Sequence, residues 1–243
     1  MSNPVLNENF LENERVLQGE PMTINGAISK SFILFGAMLL AAVYTWSLMA
    51  QGFTDMANML AVGGAIIGFI LSLVIIFTRK AMSVLTPLYA ICEGFFVGGI
   101  SAMFEASYTG IVFQAVSGTF AALFSMLTLY RIGAIKATDK FRSVILISTL
   151  SIGVIYLIQI IASFFGRGIP VIFTASNWGI AFSLFVVAIA ALNLIMDFDF
   201  IERGANQLLD KQYEWYGAFG LMITIVWLYL ELLRLLAKLN SRR

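Results

Sequence analysis

Seven long apolar runs constrain this chain more than any other feature of its sequence. Each is close to the roughly 20 residues that a helix needs to cross a hydrocarbon core about 30 Å thick. Each run is expected to be helical, because unpaired backbone groups are too costly in lipid. The runs are residues 31–50, 57–78, 82–104, 110–130, 143–165, 178–200 and 215–239. The sequence therefore predicts an all-α polytopic membrane protein, a bundle of seven transmembrane helices.

Composition supports this fold class and excludes several functions. Hydrophobic residues make up 60% of the chain and charged residues 12%, whereas soluble domains are about 25% charged. A net charge of +1 offers no basic field for nucleic acid. The chain has no histidine, so Ser-His-Asp and Cys-His nucleophile pairs and the H-E-x-x-H zinc site are excluded. Proton sensing near neutral pH must therefore use carboxyl groups.

The charged residues lie mostly in the connectors between the runs, where they predict an orientation. The connectors after the second, fourth and sixth runs hold Arg79, Lys80, Arg131, Lys136, Lys140, Arg142, Arg203 and Lys211. The alternate connectors hold Asp55, Glu105 and a single Arg167. The positive-inside rule places the first set in the cytoplasm. A polar N-terminal tail, residues 1–29, would then be cytoplasmic, ahead of one transmembrane domain over residues 30–243.

The basic end of the last run disagrees with this orientation. Seven crossings would place Lys238, Arg242 and Arg243 outside the cell. Either the run crosses despite these residues, or it is re-entrant and returns. Crossing is the prediction, because the earlier loops mainly set orientation.

Small residues inside the runs predict close helix packing. Gly64 and Gly68 have the G-x-x-x-G spacing, and so do Gly94 and Gly98. This spacing lets two helix backbones approach each other.

The candidates for function are ionisable residues inside the apolar runs: Glu93, Asp197, Asp199, Glu231 and Arg234. A carboxylate in hydrocarbon costs about 2.5–3.5 kcal/mol on insertion scales, so such groups usually line an ion or proton route. Two close carboxylates in a poorly solvated site would share a proton. When ionised, they could bind a hard cation such as calcium, which prefers oxygen ligands. Asp197 and Glu231 are therefore predicted to form a pH sensor or gate, with calcium as a candidate ligand.

Simpler roles stay open for the same side chains. Asp199 could be an interfacial acid paired with Arg203 at i,i+4, and Glu231 could pair with Arg234 at i,i+3. In a straight antiparallel hairpin, a rise of about 1.5 Å per residue would keep Asp197 far from Glu231. The two meet only if the sixth run lies deeper in the membrane or the seventh helix begins earlier.

Two further residues each have two interpretations. Glu93 could be a gate or relay acid, or a neutral acid hydrogen-bonded across helices. Arg79 could anchor the orientation, or act as a latch that reaches Asp197 from the same side of the membrane.

An ordered set of segments resembles a known family. The segments are Asn3-Pro-Val-Leu-Asn7, Met22-Thr-Ile-Asn-Gly26, Glu93-Gly94 with Gly98-Gly99, Asp197-Phe-Asp-Phe-Ile-Glu202, Tyr213-Glu-Trp-Tyr-Gly217 and Trp227-Leu-Tyr-Leu-Glu-Leu-Leu-Arg234. Together they cover nearly the whole chain. The chain resembles the transmembrane Bax inhibitor motif family, in its bacterial branch.

The resemblance implies a fold and an activity. It implies seven helices with the last one central, a bacterial inner (plasma) membrane location, and a pH-sensitive calcium leak controlled by two acids on the last two helices. Asp197 matches the first acid, Glu231 the second, and Arg79 the basic latch after the second helix. This chain has Ile195 and Met196 where the family often has a tyrosine before the first acid. Its second acid is a glutamate in place of aspartate, and the extra methylene changes the geometry of the pair.

The sequence suggests three classes of function. The favoured one is a passive, pH-gated calcium-permeable channel, with the lipid bilayer and calcium or protons as partners and no cofactor. The chain has no G-x-x-x-x-G-K-[ST] motif for a nucleotide-driven pump. An intramembrane aspartyl protease would also use two acids, but its Gly-x-Gly-Asp motif is missing, so no enzyme is predicted. The alternative is a membrane-embedded regulatory protein that acts through other membrane proteins in stress response or quality control.

Overall fold

Seven long helices make up most of the computed structural model, which describes residues 20–166, 172 and 174–242. All seven are long and apolar enough to cross a membrane, which confirms the predicted fold class. They are α1 (Ile24–Ala50), α2 (Thr54–Thr78), α3 (Met82–Ser107), α4 (Ile111–Arg131), α5 (Asp139–Phe164), α6 (Asn177–Asn206) and α7 (Tyr213–Asn240).

Polar caps extend several helices beyond the apolar runs. The Thr23 side chain accepts a hydrogen bond from the Gly26 amide at 2.9 Å, so α1 begins at Ile24, inside the stretch assigned to the tail. Thr138 caps α5 in the same way. Such caps satisfy amide groups that the first turn leaves unpaired. The predicted tail at residues 1–19 lies outside the described residues.

The chain divides into two compact units. The first, called the α1–α3 unit, contains α1, α2, α3, the end of α6 from Phe200, the connector that follows it and the start of α7 as far as Ile223. The second, called the α4–α5 unit, contains α4, α5, most of α6 and α7 from Thr224 onward.

Glycines let the helices of the α1–α3 unit approach each other closely. A Cβ atom added at Gly98 would lie 2.3 Å from the carbonyl oxygen of Ala42, and one at Gly94 would lie 2.3 Å from that of Met38. On α2, a Cβ at Gly64 would lie 2.4 Å from a carbonyl oxygen of α3. The G-x-x-x-G spacing thus predicted these contacts correctly.

A hydrophobic cluster holds α5, α6 and α7 together in the α4–α5 unit. Its buried members are Ile145, Ile152, Val186 and Ile189, with Trp227 packed against them. The α7 helix is the most buried of the seven, with 50% of its most apolar window buried against 11–44% in the others. The greatest burial therefore belongs to the helix expected to be central.

Candidate functional site

Asp197 lies on α6, opposite the start of the part of α7 that belongs to the α4–α5 unit. The hydroxyl of Thr224 on α7 donates a hydrogen bond to its carboxylate. The second carboxylate oxygen, Oδ2, is buried and has no hydrogen-bond partner among the described residues. A buried oxygen in this state costs free energy, because the hydration that it loses is not replaced by a hydrogen bond.

Glu231 lies further along α7, and its side chain is only 1% exposed. Its Oε1 accepts a hydrogen bond from the Tyr156 hydroxyl at 2.8 Å and another from Arg234 Nη1 at 2.8 Å. Its Oε2 is buried without a hydrogen-bond partner in the described part of the chain. The i,i+3 pair with Arg234 that the spacing suggested is therefore present.

Tyr156 and Arg234 also contact each other. The guanidinium carbon of Arg234 lies 5.1 Å from the centroid of the Tyr156 ring, within the range of a cation–π interaction. The tyrosine ring is held in turn by an edge contact with Phe182 on α6, at 6.3 Å between centroids. Glu231 is thus fixed by two groups that are themselves in contact.

The two acids make separate sets of contacts. Thr224 and Glu231 are seven residues apart on α7, about 10 Å along a helix axis. Asp197 therefore has its hydrogen-bond partner on α7 about two helical turns from Glu231. The shared proton stays a prediction.

The calcium-ligand role of Asp197 and Glu231 also stays a prediction. Among the described residues, no group of three or more His, Cys, Asp or Glu side chains is placed to hold a metal ion. Calcium takes about six to eight oxygen ligands.

Asp199 has a partner that the sequence analysis did not consider. Arg142 at the start of α5 donates from Nη2 to Asp199 Oδ2 at 2.7 Å. The i,i+4 pair with Arg203 stays a prediction beside this contact. The Arg142–Asp199 pair joins the ends of α5 and α6 that are predicted to be cytoplasmic.

The remaining candidates lie in the α1–α3 unit. Glu93 accepts a hydrogen bond from Tyr89, one turn earlier on the same helix. Its carboxylate faces Gly68 of α2, where an added Cβ would lie 3.6 Å from Oε2. Arg79 ends α2 in a left-handed conformation, φ 51°, and its guanidinium donates a hydrogen bond to the Tyr216 hydroxyl. These contacts give Glu93 a partner within its own helix and place Arg79 against the start of α7.

Glu214 is a buried acid that the sequence analysis did not select as a site residue. Its Oε1 accepts hydrogen bonds from the backbone amide and the hydroxyl of Thr23, both at 2.9 Å. Its Oε2 pairs with the Lys30 ammonium group. A Cβ at Gly26 would overlap this carboxylate, so a larger residue there would require the Glu214 side chain to move. The first turn of α7 is thereby tied to the first turns of α1.

The basic residues at the end of α7 are used inside the protein. Lys238 Nζ donates to the carbonyl oxygens of Ile172 and Gly179 at 2.9 and 3.0 Å, and to the Ser183 hydroxyl at 2.8 Å. Arg242 Nε donates to a carbonyl oxygen of the segment before α6 at 2.6 Å. The basic residues at the end of α7, which disagreed with the predicted orientation, thus have partners within the protein.

Sequence reasoning missed the partners of the acids. Thr224 and Tyr156 look like ordinary polar and aromatic members of apolar runs, and a tyrosine in a span is typically interfacial or packed. A search for hydroxyl groups on helices that neighbour each candidate acid would have suggested both. The choice among them needs the relative rotation of the helices.

Comparison with known proteins identifies the family. The family profile described as Bax inhibitor 1 like matches residues 3–241. No curated protein and no solved structure matches the chain. Because the profile spans nearly the whole sequence and the seven helices suit a bilayer, this chain belongs to the Bax inhibitor 1 like family of multi-pass membrane proteins.

Proposed function

We propose that this protein is a pH-sensitive, calcium-permeable channel or leak, controlled by Asp197 and Glu231. The observation that carries the proposal is Glu231, a carboxylate 1% exposed on a membrane-spanning helix with one oxygen unpartnered among the described residues. Asp197 supports it with a second buried oxygen in the same unit. Acids are kept in such positions mainly where ions or protons pass.

The chemistry needs only proton uptake and release. Ionised, each carboxylate offers an oxygen to a cation that has shed water, and calcium prefers oxygen ligands. Protonated, the same groups lose their charge and no longer attract the cation. Proton concentration then controls cation flux without a nucleotide or a cofactor.

We infer that the protein lies in a bacterial inner membrane with its N-terminus in the cytoplasm. The Lys and Arg residues of the connectors after the second, fourth and sixth apolar runs support this orientation. The internal bonds of Lys238 and Arg242 support it too, because these cations serve the protein's own carbonyl groups.

The test is calcium flux into proteoliposomes that hold the purified protein, from about pH 6 to about pH 8. Flux through the wild type should follow pH, and Asp197→Asn and Glu231→Gln should flatten or shift that profile because they remove the titrating carboxyl groups. Asp55→Asn is the matched control, since this exposed acid lies in the first turn of α2.

Two results would contradict the proposal. One is a Glu231→Gln profile that superimposes on the wild type. The other is no flux at any pH from folded protein, which would favour a regulatory role through other membrane proteins.

A further inference from the structure

Glu231 is already occupied by a cation of its own chain. The guanidinium of Arg234 and the hydroxyl of Tyr156 bind the same oxygen, Oε1, each at 2.8 Å. A carboxylate in this state has little negative charge left for a passing ion. Arg234 therefore neutralises much of the charge that would attract a permeant cation to Oε2, which has no hydrogen-bond partner among the described residues.

We propose that Arg234 is a tethered cation that closes the pathway by occupying Glu231, and that Tyr156 positions the carboxylate for it. The proposal rests on the function proposed above and names how that site is regulated. Tyr156, Glu231 and Arg234 are called the lock below. A cation enters only when the guanidinium leaves, so the lock competes directly with the permeant ion.

The exposure of the two partners makes such a lock reversible. Glu231 is 1% exposed, whereas the Arg234 side chain is 47% exposed. A long arginine stem can move its charged head toward polar surroundings while the helix stays in place. The acid cannot follow, because it is buried. Opening thus requires a side-chain movement of Arg234 alone.

Tyr156 gives the lock its geometry. Its ring lies under the guanidinium at 5.1 Å while its hydroxyl holds the carboxylate. One side chain therefore orients both charged groups. Phe182 on α6 packs against the ring, so a movement of α6 would also move Tyr156.

The other charged group that acts on Glu231 belongs to its own helix. Lys238 lies two turns further along α7, and it interacts electrostatically with both Glu231 and Arg234. Its ammonium is held by three oxygen atoms near the start of α6. Lys238 is thus fixed elsewhere, and Arg234 is the cation in direct contact with the acid.

The experiment compares calcium flux through the full-length wild type, Arg234→Gln, Arg234→Lys and Arg242→Gln in proteoliposomes. At the pH where the wild type conducts least, Arg234→Gln should raise flux by about fivefold, the effect of losing a partly exposed ion pair. Arg234→Lys keeps the charge and should stay near the wild type. Arg242→Gln removes the same charge from the end of α7 and should change nothing.

A second readout does not depend on flux. Dicyclohexylcarbodiimide reacts with protonated carboxyl groups in apolar surroundings, and mass spectrometry locates the adduct. Glu231 should be labelled faster in Arg234→Gln than in the wild type, because its buried carboxyl group then has no charged partner. Tyr156→Phe removes one hydrogen bond and should give an intermediate rate, which keeps the test valid if Arg234→Gln unfolds.

The outcomes separate the two proposals. If the wild type conducts and Arg234→Gln matches it in flux and labelling, the lock is wrong and the channel stands. If no variant conducts but labelling follows the expected order, the proposal of a channel is wrong. Tyr156, Glu231 and Arg234 then form a structural contact only. Equal labelling of Glu231 in all variants would overturn the lock under either result.

Discussion

At the scale of single residues, burial decides what an ion pair contributes. The Lys30–Glu214 pair joins side chains that are 16% and 2% exposed. The Glu20–Lys211 pair is exposed, and there the ammonium lowers the pKa of Glu20 while the carboxylate raises the pKa of Lys211. Its contribution is therefore present between about pH 4.5 and 10.5, and is lost at more acidic or more alkaline pH as each shifted pKa is passed. Salt and water screen this exposed pair.

Removing Lys30 should be far more damaging than removing Lys211. Lys30→Met leaves Glu214 buried without its cation, and breaking a buried pair costs about 3–5 kcal/mol. We expect a large fall in the thermal unfolding midpoint of the purified protein in detergent.

Lys211→Met is the matched control and should leave the unfolding midpoint near that of the wild type. The difference between this variant and the wild type should stay small in high salt. Equal loss of stability in both variants would show that burial of the Lys30–Glu214 pair is not the deciding factor.

At the scale of helices, close packing depends on single glycines, which lack the Cβ atom that would keep two backbones apart. The α1 and α3 helices approach so closely that a Cβ at Gly98 would fall 2.3 Å from a backbone oxygen of Ala42. Backbone atoms cannot rotate out of the way as a flexible side chain can. In contrast, a Cβ at Gly63 on α2 would meet no atom within 4 Å.

Gly98→Ala and Gly63→Ala should therefore have opposite effects on stability. Alanine at position 98 forces α1 and α3 apart, and such overpacking costs about 1–3 kcal/mol. Alanine at position 63 gains helix propensity, about 0.5–1 kcal/mol. Unfolding midpoints in detergent measure both, and a stabilised Gly98→Ala variant would contradict the packing described for α1 and α3.

At the scale of the whole molecule, an odd number of crossings has a direct consequence. If all seven helices of the described residues cross, as their length and composition allow, the residues before α1 and after α7 lie on opposite sides of the bilayer. With a cytoplasmic N-terminus, the end of α7 lies outside, although it carries Lys238 and Arg242. The bonds of these residues to the segment before α6 engage both cations within the protein, and we expect them to lower the cost of placing a basic end on that side.

Cysteine labelling tests this orientation. In a Cys92→Ser background, which removes the single cysteine, Ser241→Cys should react with a membrane-impermeant maleimide in intact cells. Ala134→Cys, in the connector between α4 and α5, should react only after the membrane is permeabilised.

Labelling of both positions in intact cells, or of neither, would overturn seven crossings with this orientation. Reversed labelling would overturn the orientation alone.

The sequence by itself determined the fold class. The length of an apolar run is a local property, and so is the cost of backbone N–H and C=O groups that lack hydrogen bonds in lipid. The sequence also indicated the close glycine contacts and the Glu231–Arg234 pair, since both follow from spacing along one helix. Only the tertiary structure decided that Asp197 binds Thr224, that Asp199 binds Arg142 and that Tyr156 binds Glu231. Those partners lie on different helices, and which side chains meet there depends on the rotation and depth of each helix, which spacing along one helix does not give.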